Sequence, residues 1–493
     1  MDSDKLLNSN NIDCSIDMDS NSIILEDYSN NITYNKSTCH LKLTRQCLNI
    51  SDKDDKPLAI VEFIDTIGAK CVADKKDSNK FFISIYTYVI SPACCCGSKE
   101  RVRREITLVC NMKGNICENV VNIINAFASQ QPLIAKTESN IEGMVEYEPP
   151  RQRKVLVFVN PHSGQGTADK VWKQHAKRMI TEANIDVEVI TTTHANHAME
   201  HVTALDRESI LQLDGIATVG GDGILAEVVN GIRARDDSAE IFDKIPMIPI
   251  PGGTSNGLVK SILYESGEEY CVVNSLYVIL KGSPSPIDMS LVTTATGKSY
   301  YAFLIMGWGL IGDIDILSET MRWMGEPRLY AAAVYFLVKN RKYTGKLSLL
   351  VATEDNASFS PSDMATIDQP LVDTDKHKWT VIDDKFVMVL VVQTTHCSSS
   401  VYSGPGITLD DGVFTIYVLR GVGRASEASF LLDFDSGDFI NHPDIETYKT
   451  RAYRMEPIES EKGIYSLDGE SIDYTNCQGV VLPSHAKIIK LKK

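Results

Sequence analysis

The sequence predicts an α/β protein: a doubly wound α/β domain, then an antiparallel β-sandwich domain, with a small β-rich module in front. Three observations carry this. From Lys154 onward a short apolar strand, a glycine turn and a helical stretch recur three times, around NPHSGQG (Asn160 to Gly166), VGGDG (Val219 to Gly223) and GGTSN (Gly252 to Asn256). Repeated strand-turn-helix units build a parallel sheet whose ligand site lies at the carboxyl ends of the strands. After Ile287 the pattern changes to β-type runs (DMSLVTT, YYAFLIMGWG, GKLSLLVA, KFVMVLVVQT, GVFTIYVL and AKIIKLK), as in an antiparallel sandwich. Finally, 493 residues exceed what one hydrophobic core supports. The expected bounds are a disordered tail over 1–45, the β-rich module over 46–131, a linker over 132–153, the α/β domain over 154–286 and the sandwich over 287–493.

Taken in order, residues 1 to 40 hold seven Asn, seven Ser and seven acidic side chains, too little apolar area to offset the entropy of ordering. The runs LAIVEFIDTIGAKCVA, KFFISIYTYVIS and REITLVC then read as strands, and NVVNIINAFASQ as one closing helix. The outline is pleckstrin-homology-like in architecture only. Cys94, Cys95 and Cys96 sit beside the basic run SKERVRR, where adjacent cysteines fit either S-acylation or an ordinary loop. The Glu-rich stretch ending in EYEPPRQR has linker composition. The polar insertion Glu354 to Lys378 reads as a surface loop. Because the glycine turns all lie downstream, residues 1 to 150 are expected to be dispensable for catalysis.

Composition removes several function classes. A formal charge of -16 opposes binding to nucleic acid, which requires clustered Lys and Arg. The longest apolar runs, Tyr301 to Gly312 and Leu329 to Val338, fall short of the roughly 20 residues of a spanning helix. The N-terminus lacks a basic and an apolar signal region, so a cytoplasmic location is expected. Nine of the twelve cysteines precede residue 118 without a zinc-type spacing.

The three turns carry the chemistry. Backbone N–H groups at a strand-to-helix turn attract phosphate, although the first turn lacks the Lys and Ser/Thr of a Walker loop. In the second, Gly220, Gly221 and Gly223 allow close approach to a ligand, and Asp222 puts a carboxylate at the strand tip. The plainer reading of Asp222 is an N-cap for the helix that follows. Gly253, Thr254 and Ser255 of the third turn supply further donors. Phe303, Leu304, Met306, Trp308, Leu310 and the run Leu329 to Val338 fit either the wall of an acyl-chain slot or plain core.

Together, NPHSGQG, VGGDG with EVVNG, and PGGTSN resemble the diacylglycerol-kinase-type catalytic domain of lipid kinases. GWGLIGDIDILSETMRWMGEPR (Gly307 to Arg328) and SLDGE (Ser466 to Glu470) resemble the signatures of the sphingosine kinase family. That resemblance implies ATP and Mg²⁺ as cofactors, with no metal ligand assigned, and a sphingoid base as acceptor taken from a peripheral membrane surface. It implies Asn160, Pro161, His162, Thr192, Glu227, Gly253, Thr254, Ser255, Arg322, Arg328, Asp468, Gly469 and Glu470 on the nucleotide side. Gly220, Gly221, Asp222, Gly223 and Asp315 would lie on the acceptor side, with Asp222 as the catalytic carboxylate and Asp315 as headgroup partner. Asp313 and Glu319 fall in register with the same signature. Thr254 and Ser255 depart from the Gly-Ser-Gly-Asn usual in animal members. The alternatives are a ceramide or diacylglycerol kinase, NAD kinase (which shares a GGDG turn), and a catalytically weak lipid-binding protein.

Overall fold

The computed structural model describes residues 25–26, 31–91, 99–141, 144–253, 255–321, 324–325, 327–458 and 463–492. Thr254, Arg322, Cys94, Cys95 and Cys96 lie outside the described residues. The chain divides into two compact units, one ending at Thr87 and resuming over Arg104–Pro150, the other made of Tyr88–Arg103 and Arg151–Lys493.

The first unit is β-rich and closed by one helix. In His40–Leu43 and Cys47–Ser51 every second residue (Leu41, Leu43, Leu48, Ile50) is buried, the period-2 signature of a strand with one face on a core. The helix Gly114–Ala128 buries Ile116, Val120, Ile123 and Ile124, which recur at helical spacing.

The structure differs from the expected bounds in three places. Strands at Leu25–Glu26 and Ile32–Tyr34 lie inside the expected tail: the first pairs with His40–Leu43, and Ile32 and Cys39 join the core of this unit despite polar surroundings. An antiparallel hairpin of Ala135–Ile141 and Met144–Tyr147 occupies the expected linker. Asn119 and Asn122 of the helix donate to the carbonyls of Val145 (2.9 Å) and Tyr147 (3.1 Å), tying that hairpin down. The strand Ser283–Thr294 runs straight through the 286/287 boundary.

In the second unit four parallel strands stand in the order Asp186–Thr191, Lys154–Val159, Gly215–Gly220, Met247–Pro251. The last three are almost wholly buried, and burial on both faces explains their unbroken apolar sequence. The C-terminal strand Cys477–Lys490 pairs with Met247 through Ile488 and runs antiparallel to Ser283–Thr294. Hydrogen bonding therefore continues from the parallel strands into the antiparallel ones, in a single sheet of 14 strands. The long strand Trp379–Val392 changes partner midway, from Tyr343–Val351 to Phe414–Arg420 and Ile305–Gly309. Met306, Trp308, Phe386, Val389, Ile416, Tyr453 and Tyr465 form the core there. Among the described residues no helix is long and apolar enough to cross a membrane.

The insertion between 354 and 378 is pinned rather than loose. Phe359 and Met364 pack with Leu350, Ala452 and Val480. The buried Arg454 donates to the carbonyls of Ala365 (3.1 Å), Thr366 (3.1 Å) and Gln369 (2.5 Å). Few apolar residues suffice because one guanidinium satisfies several carbonyls at once.

The second unit also contains Tyr88–Arg103. Arg101 donates through Nε and Nη2 to Glu268 (3.0 and 2.7 Å), through Nη1 to the carbonyl of Tyr88 (2.8 Å), and lies 3.4 Å above the Tyr277 ring. Both members of the Arg101–Glu268 pair are buried. Glu268→Ala is expected to destabilise the unit by about 3–5 kcal/mol, the cost of stranding a buried charge, read as a lower midpoint in urea. Deleting residues 1 to 150 would remove Arg101 as well. Loss of folded protein is therefore expected from that truncation, in place of the intact catalysis anticipated above.

Candidate active site

The three glycine turns meet at the carboxyl ends of the parallel strands. Asn160 N–H donates to the Val219 carbonyl (3.1 Å), Gly221 N–H to Ser163 Oγ (3.1 Å), and Gly252 N–H to the Gly220 carbonyl (2.9 Å). A Cβ on Gly253 would stand 2.5 Å from Gly221 Cα, so the second and third turns pack backbone on backbone and only glycine fits. Asn160 Oδ1 accepts from His162 N–H (3.1 Å), which shapes the first turn beside Pro161. Asn256 Nδ2 closes the third by donating to the Gly253 carbonyl (3.0 Å).

Asp222 is the first residue of the helix Asp222–Arg233, whose N-cap is Gly221. Its carboxylate does not cap that helix. It reaches across to the helix Gly257–Ser266 and accepts N–H from Gly257 (2.8 Å) and, loosely, from Leu258 (3.4 Å). The expected N-cap of the helix Asp222–Arg233 is thus absent, and the carboxylate serves the first turn of a different helix. Burial pushes the Asp222 carboxyl up to about 7 against the pull of those two amides, and the charge of Asp468 adds to the rise.

Asp468 sits in the turn between Tyr465–Leu467 and Glu470–Ile472, with φ of +50°, and Gly469 follows at +89°. Its two oxygens accept three backbone N–H groups, from Phe303 (2.9 Å), Leu304 (3.0 Å) and Ile305 (3.0 Å). Such a carboxylate holds a loop in place. Burial nevertheless pushes it up to about 6, with the charge of Asp315 adding to the rise. Glu470 is exposed, its Oε1 4.0 Å from where a Cβ on Gly223 would lie.

Asp315 projects from the helix Leu310–Glu319 and accepts a hydrogen bond at Oδ2 from Ser466 Oγ–H. Burial pushes its carboxyl up; Glu319 and Glu470 reinforce this, while Ser466 and Arg328 oppose it. Arg328 is held by Glu319 at 2.9 Å. Asp222, Asp468 and Asp315 thus form one run of electrostatically linked carboxylates. Asp313 is not among them: fully buried, it binds Arg341 (3.0 Å) and the Tyr343 hydroxyl in the core.

The remaining residues divide. Thr192 is buried, with N–H on the Val159 carbonyl (2.9 Å). Glu227 caps the helix His197–Ala204 by accepting Ala198 N–H (3.1 Å). Ser255 Oγ donates to the Cys397 carbonyl (3.5 Å). Phe303, Leu304, Met306, Trp308 and Leu310 are all buried, whereas Tyr330, Val334 and Val338 are more than 60% exposed along one side of the helix Pro327–Lys339. Ser163 and Ser466 lie inside the motifs NPHSGQG and SLDGE, yet the sequence assigns them no role. Their partners lie 58 and 151 residues away, and no local pattern marks a serine for such a bond.

Residues 154–292 match the diacylglycerol kinase catalytic domain. Sphingosine kinase 1 of Rattus norvegicus is 31% identical over 351 residues, covering 68% of this chain and 90% of that protein. Sphingosine kinase 1 of Homo sapiens is 30% identical over 352 residues, with the same coverage. Sphingosine kinase 2 of Arabidopsis thaliana is 30% identical over 338 residues, covering 65% and 69%. With its three turns, its DIDILSET helix and its SLDGE turn at one site, the chain belongs to the sphingosine kinase family.

Proposed function

We propose that this lipid kinase transfers the γ-phosphoryl group of ATP to the primary hydroxyl of a sphingoid base, giving sphingosine 1-phosphate from sphingosine. The observation that carries the reading is the pair of carboxylates, Asp222 at the glycine turns and Asp315 beyond Asp468, which serves a hydroxyl and an ammonium of one acceptor. Phosphoryl transfer requires mainly positioning and charge neutralisation, with a group to take the hydroxyl proton. Asp222 takes that proton as the new O–P bond forms and the bond from the γ-phosphorus to the bridging oxygen breaks, releasing ADP. The turns containing Asn160, Pro161, His162, Gly253, Thr254 and Ser255 form the nucleotide side, where the phosphates lie against the backbone. Arg328, pre-aligned by Glu319, stabilises charge on the transferred group, and Arg322 shares this role. Asp468 acts by holding the 303–305 backbone and Gly469, at positive φ, by completing its turn, while Thr192 and Glu227 shape the adenosine side.

Mg²⁺ carried by a nucleotide needs only one or two protein carboxylates, its other positions being water and phosphate oxygens. Glu470, exposed beside Gly223, suits that role, and the ion when bound neutralises phosphate charge. The antiparallel half, read as a sandwich, holds the lipid. A peripheral membrane surface supplies it, which the exposed Tyr330, Val334 and Val338 support.

Labelled ATP offered with sphingosine, ceramide, diacylglycerol or NAD tests the reading. Sphingosine should be the preferred acceptor by at least tenfold in kcat/KM, and equal use of diacylglycerol would overturn the assignment. Arg328→Ala is expected to lower kcat by about tenfold or more, the worth of a hydrogen bond to a charged group realised in the transition state. The KM for ATP should change less than kcat does.

A further inference from the structure

We propose that Ser466 is a positioning residue for acceptor choice: its hydroxyl takes Asp315 Oδ2 and so presents Oδ1 to the acceptor ammonium. The inference rests on the reading of Asp315 as the ammonium partner. It grows from the way two elements far apart in sequence are stacked. Ser466 lies in the strand Tyr465–Leu467, paired with Gly307 of the strand Ile305–Gly309. The helix that carries Asp315 starts immediately after that strand and folds back on it, so closely that a Cβ on Gly312 would stand 2.6 Å from the Gly307 carbonyl.

Strand periodicity then decides which way Ser466 faces. Tyr465 and Leu467 join the hydrophobic core, so Ser466 between them must point to the opposite side. There it meets Asp315, and it is 1% exposed. Water does not compete for its hydroxyl, and a hydroxyl donated to a carboxylate is among the stronger hydrogen bonds. An aspartate has two oxygens and a rotatable carboxylate plane. Holding one oxygen sets where the other points, and an ammonium is bound well only if the acceptor oxygen is already in place. Without Ser466 the carboxylate is free to turn toward Arg328, which lies close enough to influence its charge.

The test is a kinetic cycle on the full-length protein with ATP and sphingosine. Ser466→Ala is expected to raise the KM for sphingosine by about tenfold, with kcat and the KM for ATP within about twofold, and Ser466→Thr is expected to restore it. In an Asp315→Asn background, Ser466→Ala should have no further effect, since a residue acting through another loses its effect when that other is gone. If Asp315→Asn raises the sphingosine KM but Ser466→Ala does not, the inference is overturned and the reading of Asp315 stands. The inference also falls if Ser466→Ala lowers kcat and raises both KM values alike, or adds its full effect to Asp315→Asn, because the serine would then be a structural strut. If Asp315→Asn itself leaves the sphingosine KM unchanged, the reading of Asp315 falls and takes the inference with it. Thermal unfolding of each variant separates loss of fold from loss of recognition, and the threonine variant keeps the question open to measurement if alanine misfolds.

Discussion

Asp222→Asn is expected to lower kcat by about 10²-fold or more, the range for losing a positioned base, while the fold and ATP binding persist. Asparagine has nearly the same shape, and its carbonyl oxygen can still accept the Gly257 N–H that anchors the carboxylate at 2.8 Å. What it cannot do is take the acceptor's proton. The bond to Leu258 at 3.4 Å is weak already, so its loss costs little structure. A folded variant with near-normal turnover, checked by circular dichroism and nucleotide binding, would reduce Asp222 to a cap for the helix Gly257–Ser266.

A pH profile adds an independent check. Burial holds the Asp222 carboxyl at about 7, and only the ionised form can accept a proton. Activity should therefore be fully present above that value and fall as pH drops through it, about tenfold per unit on the acid side. Whatever activity remains in Asp222→Asn should lack this limb. A wild-type profile flat from pH 8 to pH 5 would remove Asp222 from the proton transfer.

Asp315→Asn is the second large effect. Sphingosine carries an ammonium near its reactive hydroxyl, and a carboxylate in a dehydrated setting holds it by a charge-assisted hydrogen bond. Ceramide presents an amide at that position and diacylglycerol an ester, and neither offsets the cost of burying an unpaired carboxylate. Discrimination of about 2–4 kcal/mol follows. The variant should show a KM for sphingosine raised by about 30-fold or more and an unchanged KM for ATP, since the nucleotide turns are untouched. Its preference for sphingosine over neutral lipids should shrink in step. An unchanged preference would mean that Asp315 serves only the local charge network with Glu319 and Arg328.

The elements and the glycine turns were legible because their causes are local. An unbroken apolar run such as KVLVFV, a glycine pair before Asp222 and helical spacing in Ile116, Val120 and Ile123 act over a few residues, so the chain displays them in order. The expected tail was drawn too long for the opposite reason. Ile32 is a lone apolar residue among polar ones, and only the core around Leu41, Ile83 and Leu108 gives it a place. The linker was misjudged likewise, since Asn119 and Asn122 order the 135–147 hairpin from another element.

The candidate site divides along the same line. Sequence by itself determined which side chains are available: the three turns, the carboxylates at 222, 315, 468 and 470, and Arg328. Tertiary structure decided their duties. It turned Asp222 onto the helix Gly257–Ser266, committed both oxygens of Asp468 to the 303–305 backbone, sent Asp313 into the core with Arg341, and set Ser466 against Asp315 across 151 residues of chain. The physical reason is range. A hydrogen bond forms only within about 3 Å and depends on direction, so it is specified by how strands and helices stack and leaves no mark on the spacing of residues along the chain.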